Sequence, residues 1–240
     1  MAHLIELRSR LLKAIYGVLA LFVPMAFYSR ELYALLAAPL VRLLPAGSAM
    51  IATEVTAPFL TPVKFSAVLA FALAVPWVLY QVWAFVAPGL YQSERRLVVP
   101  LLASSTALFY AGMAFAYFAV LPVALRFFVA VAPAGVAVMT DIGHYLDFVL
   151  ALFLGFGLAF ETPVAIVLVV WAGFVTPATL AARRDYVFVG VFVVAAVLTP
   201  PDVFSQVLLA LPMYGLYEVG ILAARWLVPA ARQVESQAAK

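Results

Sequence analysis

Phe148-Val-Leu-Ala-Leu-Phe-Leu-Gly-Phe-Gly-Leu-Ala-Phe-Glu-Thr-Pro-Val-Ala-Ile-Val-Leu-Val-Val-Trp171 is an unbroken apolar run that carries one charge, Glu161. At about 1.5 Å per residue a helix of this length reaches about 36 Å, enough to cross roughly 30 Å of hydrocarbon. The run is continuous and shows no strict apolar/polar alternation, so it reads as a helix and not as a barrel strand. A carboxylate at mid-bilayer costs on the order of 3 kcal/mol on insertion scales, which makes Glu161 a candidate functional residue. Three other readings of it stay open: a protonated acid, a partner for backbone groups released by Pro163, or a partner for Ser104, Ser105 or Thr106 on another span.

The rest of the chain has the same character. Of its 240 residues, 68% are hydrophobic and 10% charged, and the mean hydropathy is +1.14. A soluble domain could not cover its surface with so few polar groups, so the class is an all-α, polytopic membrane protein. Six spans are predicted, at about 11–28, 65–86, 97–121, 148–171, 186–198 and 203–222, forming a single integral membrane domain over 1–240. Loops of about 29–64, 122–147 and 199–202 fall on one side. The first apolar run follows a charged segment, as a secretory signal would. It is too long for a cleavable core and lacks a persuasive small-residue cleavage site, so it is expected to stay as a span. Pro39, Pro45, Gly47, Pro58 and Pro62 mark 29–64 as mixed loop, with apolar pieces such as 32–44 suited to interfacial helices. The fifth run supplies only about 20 Å of helix, and the sixth is interrupted by Pro212 and Glu218. Two short helices in a thinned bilayer, or a re-entrant hairpin, both fit this.

Charge fixes an orientation. Ten basic residues (Arg8, Arg10, Lys13, Arg95, Arg96, Arg183, Arg184, Arg225, Arg232 and Lys240) fall on one side of the predicted spans, and four (Arg30, Arg42, Lys64 and Arg126) on the other. By the positive-inside rule both termini are expected to be cytoplasmic and the long loops to face outward. A net charge of +3, gathered on one membrane face, does not indicate a nucleic-acid partner. The absence of cysteine excludes disulfides, thiolate metal sites and cysteine nucleophiles. His3 and His144 are predicted on opposite faces, and there is no phosphate-cradling glycine loop and no His-Glu-x-x-His pair. No catalytic residue, metal or cofactor is expected; a receptor, channel or scaffold remains.

Two exposed carboxylates draw attention on the basic side. His3, Glu6, Arg10 and Lys13 recur at three- and four-residue spacing and form one polar helix face, with Leu4, Leu7 and Leu11 on another. Glu6 and Arg10 also suit a simple i,i+4 pair worth a few tenths of a kcal/mol. Ser93 and Glu94 stand where the third span begins, which is good capping chemistry. Together, Glu6 and Glu94 could instead bind a cation, most tightly one whose guanidinium groups make bidentate hydrogen bonds. Within the spans only Glu161 and Glu218 are acidic, too few for a relay in series. An ion-coupled small-solute transporter using Glu161 is therefore the rival reading, and no readable internal repeat favours it.

A set of segments, in order along nearly the whole chain, resembles the TatC family of the twin-arginine protein translocase. They are His3-Leu-Ile-Glu-Leu-Arg8, Met50-Ile-Ala-Thr-Glu-Val-Thr-Ala-Pro-Phe59, Tyr80-Gln-Val-Trp-Ala-Phe-Val-Ala-Pro-Gly-Leu-Tyr91, Glu94-Arg-Arg-Leu-Val-Val-Pro-Leu-Leu102, Gly112-Met-Ala-Phe-Ala-Tyr-Phe118, Phe156-Gly-Leu-Ala-Phe-Glu-Thr-Pro-Val164 and Leu198-Thr-Pro-Pro-Asp-Val-Phe-Ser-Gln206.

The resemblance implies a non-enzymatic receptor and scaffold that binds twin-arginine signal peptides of folded precursors for protonmotive-force-driven export. It implies six spans in a concave, glove-like arrangement in the bacterial inner membrane, the fifth and sixth helices short. Signal binding falls to Glu6 and Glu94, with Arg8, Phe85, Leu90 and Arg95 nearby. Glu161 and Gln206 become intramembrane polar contacts, and Pro39 and Asp202 become structural or translocation-related positions. The implied partners are the single-span subunits TatA and TatB, further copies of the chain, and the lipid bilayer.

Overall fold

The structure, a computed structural model, describes residues 2–43, 49–86, 98–131, 139–198 and 202–228. Among these the regular elements are all helical: α1 (Ala2–Phe27), α2 (Ser29–Leu43), α3 (Ala57–Val86), α4 (Val98–Phe115), a π-helical turn (Ala116–Val120), α5 (Leu121–Val131), α6 (Ile142–Ala159), α7 (Thr162–Trp171), α8 (Pro177–Ala182), α9 (Arg184–Leu198) and α10 (Val203–Leu227). Among the described residues five segments are long and apolar enough to cross a membrane: Ile5–Phe27, Ala57–Val82, Val99–Val131, Ile142–Trp171 and Val203–Leu227. The fifth predicted span, α9, is shorter than any of these and supplies about 22 Å of helix.

The helices run further than the apolar runs imply, because several prolines occupy positions that a helix tolerates. The predicted loop 29–64 contains all of α2 and the first turns of α3, where Pro58 is the second residue and needs no intrahelical N–H bond. The predicted loop 122–147 contains most of α5 and the start of α6. Just before Pro122 the backbone loosens to i→i+5 bonding, Leu121 N–H reaching Ala116 O, which carries the helix axis through the proline. The sixth helix is a correction to the expected short element. Residues of α10 continue through Pro212 and Glu218 to Leu227, so the hairpin joins one short helix to one full-length helix.

The predicted fourth span, 148–171, is in turn two helices. Pro163 has no N–H for the Ala159 carbonyl, and the preceding turn tightens, with Glu161 N–H bonded to Leu158 O at 3.1 Å. Glu161 stands in the break, as the residue preceding α7.

The chain forms two compact units. In the first, Met1–Thr106 with Pro122–Leu150, α3 packs along α1 and, at its beginning, against α2. Lipid tails are as apolar as leucine, so close approach and a few polar contacts must hold such helices together. Gly17 supplies the approach: a Cβ there would lie 2.4 Å from Trp77 Cδ1. The Trp77 indole N–H donates to the Lys13 carbonyl at 2.9 Å. In the second unit, Ala107–Leu121 with Ala151–Lys240, α7 packs along α10 around Ile166, Val170, Tyr217, Ile221 and Ala224. Glycines again set the spacing, Gly220 facing Ile166 and Pro163, and Gly112 facing the Phe156 carbonyl.

Candidate functional site

In the first unit α1 and α3 are antiparallel. Phe27 is followed almost at once by α2, whose Tyr33 hydroxyl donates to Ile142 O at 3.1 Å. Lys64, near the start of α3, pairs with Asp147 on the same segment as Ile142, so the end of α1 lies beside the beginning of α3. Lys13 and Trp77 are at one level. From there Glu6 lies two turns, about 10 Å, toward the N-terminus of α1. Phe85 lies just over two turns, about 12 Å, along α3 toward the same end. Glu6 and Phe85 therefore share one end of the helix pair, the end at which the chain leaves α3 at Val86.

Glu6 is half-buried and accepts from Arg10 Nη2 at 3.5 Å, a loose i,i+4 pair. Arg8 is exposed and, two residues on, points away from the Glu6 face. Leu90, Glu94 and Arg95 lie outside the described residues.

The opposite end of the first unit holds a clasp between two loops. Ile51 N–H donates to Thr140 O at 3.0 Å, and Ile142 N–H to Ile51 O at 2.9 Å. Asp141 accepts from the Thr53 N–H at 2.9 Å, the Thr53 hydroxyl at 2.8 Å, and the N–H groups of Gly143 and His144 at 2.8 and 3.0 Å. The Thr53 and His144 amides foremost hold the Asp141 carboxyl well below the usual carboxylate range. Burial, helped by the Asp141 charge, pushes the nearby Tyr33 phenol up to about 12. A cavity of about 410 Å³ opens beside this clasp, lined by Thr53, Glu54, Thr61, Lys64 and His144 among others. Pro39 is half-buried within α2, next to Leu40, which packs inward. The Tyr145 hydroxyl donates to Leu36 O at 3.0 Å and fixes that helix in place.

The second unit holds the intramembrane candidates. Glu161 is half-buried at the α6/α7 break, two residues before the Pro163 contact with Gly220 of α10. Asp202 caps α10, its Oδ1 accepting from Ser205 N–H at 2.6 Å. Gln206 donates through Nε2 to the Phe192 carbonyl at 3.0 Å and so ties α10 to α9. Glu218 is held by Arg184 in a two-pronged pair, with Nε at 2.6 Å and Nη2 at 2.7 Å, the fork geometry that suits a carboxylate. Near it the Tyr217 hydroxyl donates to Leu180 O at 2.9 Å. A carboxylate locked to a guanidinium is a poor proton carrier, which removes Glu218 as a relay partner for Glu161.

This helical arrangement has known relatives. The family model described as "Sec-independent protein translocase protein (TatC)" matches residues 2–212.

The chain belongs to the TatC family.

It is 55% identical over 233 residues to the Sec-independent protein translocase protein TatC of Escherichia coli (strain K12), covering 97% of this chain and 90% of that protein. It is 58% identical over 220 residues to the TatC of Azotobacter chroococcum mcd 1, covering 92% and 86%. Among solved structures it resembles the crystal structure of the twin arginine translocase receptor TatC, with a TM-score of 0.83, 37% identity and coverage of 93% of this chain and 98% of that one.

Two features of the chain have no clear sign in its sequence. Arg184 belongs to an Arg-Arg-Asp triplet that reads as loop charge, and only the fold brings it to Glu218, 34 positions on. Gln81 is 3% exposed on α3, and its Oε1 has no hydrogen-bond partner among the described residues. The one available signal was a single amide in an apolar run, which without a neighbour carries no pattern.

Proposed function

We propose that this chain is the receptor and scaffold subunit of a twin-arginine protein translocase in the bacterial inner membrane, both termini cytoplasmic. Glu6 and Glu94 bind the paired arginines of a precursor's signal peptide, bidentate guanidinium–carboxylate bonds giving preference over lysine. Phe85 and Leu90 offer apolar contact beside them, and Arg8 and Arg95 complete the surface. The observation that carries this reading is the shared position of Glu6 and Phe85 at the end where α3 delivers the segment containing Glu94.

The apolar part of the signal then enters the membrane. Glu161, a carboxylate at a helix break, offers a polar contact to the inserted signal or to a partner helix, and Gln206 and Asp202 keep the α9/α10 hairpin in shape. TatA and TatB dock as single-span partners, several copies of this chain assemble, Pro39 supports the outer loop, and the protonmotive force drives transport. No covalent step is required of the protein.

Binding of a twin-arginine signal peptide to detergent-solubilised protein tests the proposal. Glu6→Ala and Glu94→Ala should each weaken binding by about ten-fold or more, the scale of a lost hydrogen bond to a charged group, and by more for Arg-Arg than for Lys-Lys peptides. Unchanged affinity in both variants would sink it.

A further inference from the structure

At about 100° per residue, Glu6, Arg10, Lys13 and Gly17 fall within about 60° of one another around α1. Gly17 and Lys13 both meet Trp77, so this stripe faces α3. On α3, Gln81 follows Trp77 by four residues and shares its face toward α1. Stepping four residues from the Lys13–Trp77 contact places Gln81 at the level of Ser9 and Arg10, with Phe85 one turn further, near Glu6.

The two residues that this count brings to one level are unequal in satisfaction. Gln81 is buried, and its amide oxygen has no hydrogen-bond partner among the described residues. A buried acceptor left unpaired is costly and wants a donor. Arg10, 27% exposed at its side chain, is held only loosely, at 3.5 Å from Glu6. A well-made guanidinium–carboxylate pair is far closer, as Arg184 and Glu218 illustrate with contacts of 2.6 Å and 2.7 Å. An arginine side chain spans most of the roughly 8–10 Å between packed helix axes, so Gln81 lies within its range.

We propose that Arg10 is an internal stand-in for the signal arginine, and that Gln81 is the positioning residue that receives it. With no peptide bound, Arg10 occupies Glu6 and keeps that carboxylate from unspecific cations. An incoming guanidinium with better geometry takes Glu6, and Arg10 turns to donate to the Gln81 amide oxygen. The exchange satisfies a buried acceptor and leaves the partly exposed Arg10 charge on a neutral amide oxygen. It sets a threshold: every cation pays the same cost to displace Arg10, and a lysine, which cannot make the bidentate pair, has less to offset it. The inference rests on the proposed binding of twin-arginine signals at Glu6.

The test is a set of peptide titrations on the full chain, with Arg-Arg and Lys-Lys versions of one signal peptide. Arg10→Gln removes the competitor and should tighten binding of both peptides by about two- to five-fold, the scale of a partly exposed ion pair, leaving the ratio of their affinities unchanged. Gln81→Leu should weaken binding by a similar factor. Gln81→Glu, nearly the same size, should tighten it by drawing Arg10 away. In the Arg10→Gln background both Gln81 substitutions should lose their effect, an outcome that a merely structural role of Gln81 would not produce. The exchange is overturned if Arg10→Gln weakens or leaves binding unchanged, or if the Gln81 effects persist without Arg10. Glu6→Gln separates the two levels: if it weakens Arg-Arg binding while the Arg10 and Gln81 results fail, only the exchange falls. If it has no effect, the receptor reading at Glu6 and the exchange fall together.

Discussion

Replacing Gly112 with alanine adds one methyl group where α4 and α6 approach closely in the second unit. The new Cβ would lie 2.4 Å from the Phe156 carbonyl oxygen, 2.9 Å from its carbon and 3.1 Å from the Gly157 Cα. These are backbone atoms, and no rotamer can move them aside. The Phe156 oxygen is also committed, accepting from Phe160 N–H at 2.9 Å. Restoring ordinary contact requires α4 and α6 to separate by about 1 Å, which loosens the edge-on Phe115–Phe156 packing at 5.3 Å between ring centres. Overpacking of this kind costs about 1–3 kcal/mol, and the gain in helix propensity from glycine to alanine returns up to about 1 kcal/mol. The net expectation is a loss of about 1–2 kcal/mol, or a fall in Tm of roughly 2–8 °C for a chain of this size. Gly215 on α10 provides the internal control, since nothing lies within 4 Å of a Cβ there. Gly215→Ala should leave stability unchanged or raise it by up to about 1 kcal/mol. Thermal unfolding in one detergent, followed by circular dichroism, compares the three proteins. Equal midpoints for Gly112→Ala and Gly215→Ala would refute the reasoning.

Three further outcomes follow from the geometry. Asp202→Ala removes the cap of α10 and should cost about 1 kcal/mol, whereas Asp202→Asn, which keeps an acceptor, should cost a few tenths; equal losses in thermal unfolding would exclude a capping role. The Asp141 pKa is lowered on folding, so its contribution to the clasp is complete above the unfolded value of about 3.9 and is lost as pH falls below it toward the depressed folded value. Protection of the Ile51, Thr53 and Ile142 amides relative to their intrinsic exchange rates should fall below about pH 4, and Asp141→Asn should abolish that dependence. Arg184→Gln and Glu218→Gln should each lower the unfolding midpoint, and the double variant should lose less than the two together, as members of one pair do; strict additivity would dissolve the pair.

Much of the fold was legible because lipid imposes a length on every helix. Runs such as 148–171 announce a span by apolar content alone. Proline was the misleading signal: Pro58 and Pro122 read as breakers, yet Pro58 is the second residue of its helix, where a missing N–H costs nothing, and Pro122 is carried by the π-helical turn before it. Pro212 and Glu218 likewise made α10 look short, although Glu218 is neutralised by Arg184, a partner that no periodicity reveals. On the site, the Glu6 face was readable from spacing, since Glu6, Arg10 and Lys13 recur within one stripe. That this stripe turns toward α3, and that Gln81 lies opposite it, depends on the Gly17–Trp77 approach, a tertiary fact with no local signature. The break at Glu161 falls between the two cases: Pro163 marked the place, but the apolar run concealed the division into two helices.

The central claim is that paired arginines are recognised at the Glu6 end of the first unit and not at the intramembrane carboxylate. Photocrosslinking tests it most directly, with a reactive side chain placed singly at positions 6, 94 and 161 of the membrane-embedded protein and a twin-arginine precursor added. Positions 6 and 94 should capture residues beside the arginine pair, a Lys-Lys precursor should reduce both captures, and position 161 should capture only the apolar part of the signal or a partner helix. Capture of the arginine region from position 161 alone, or equal capture of Arg-Arg and Lys-Lys precursors from positions 6 and 94, would contradict it.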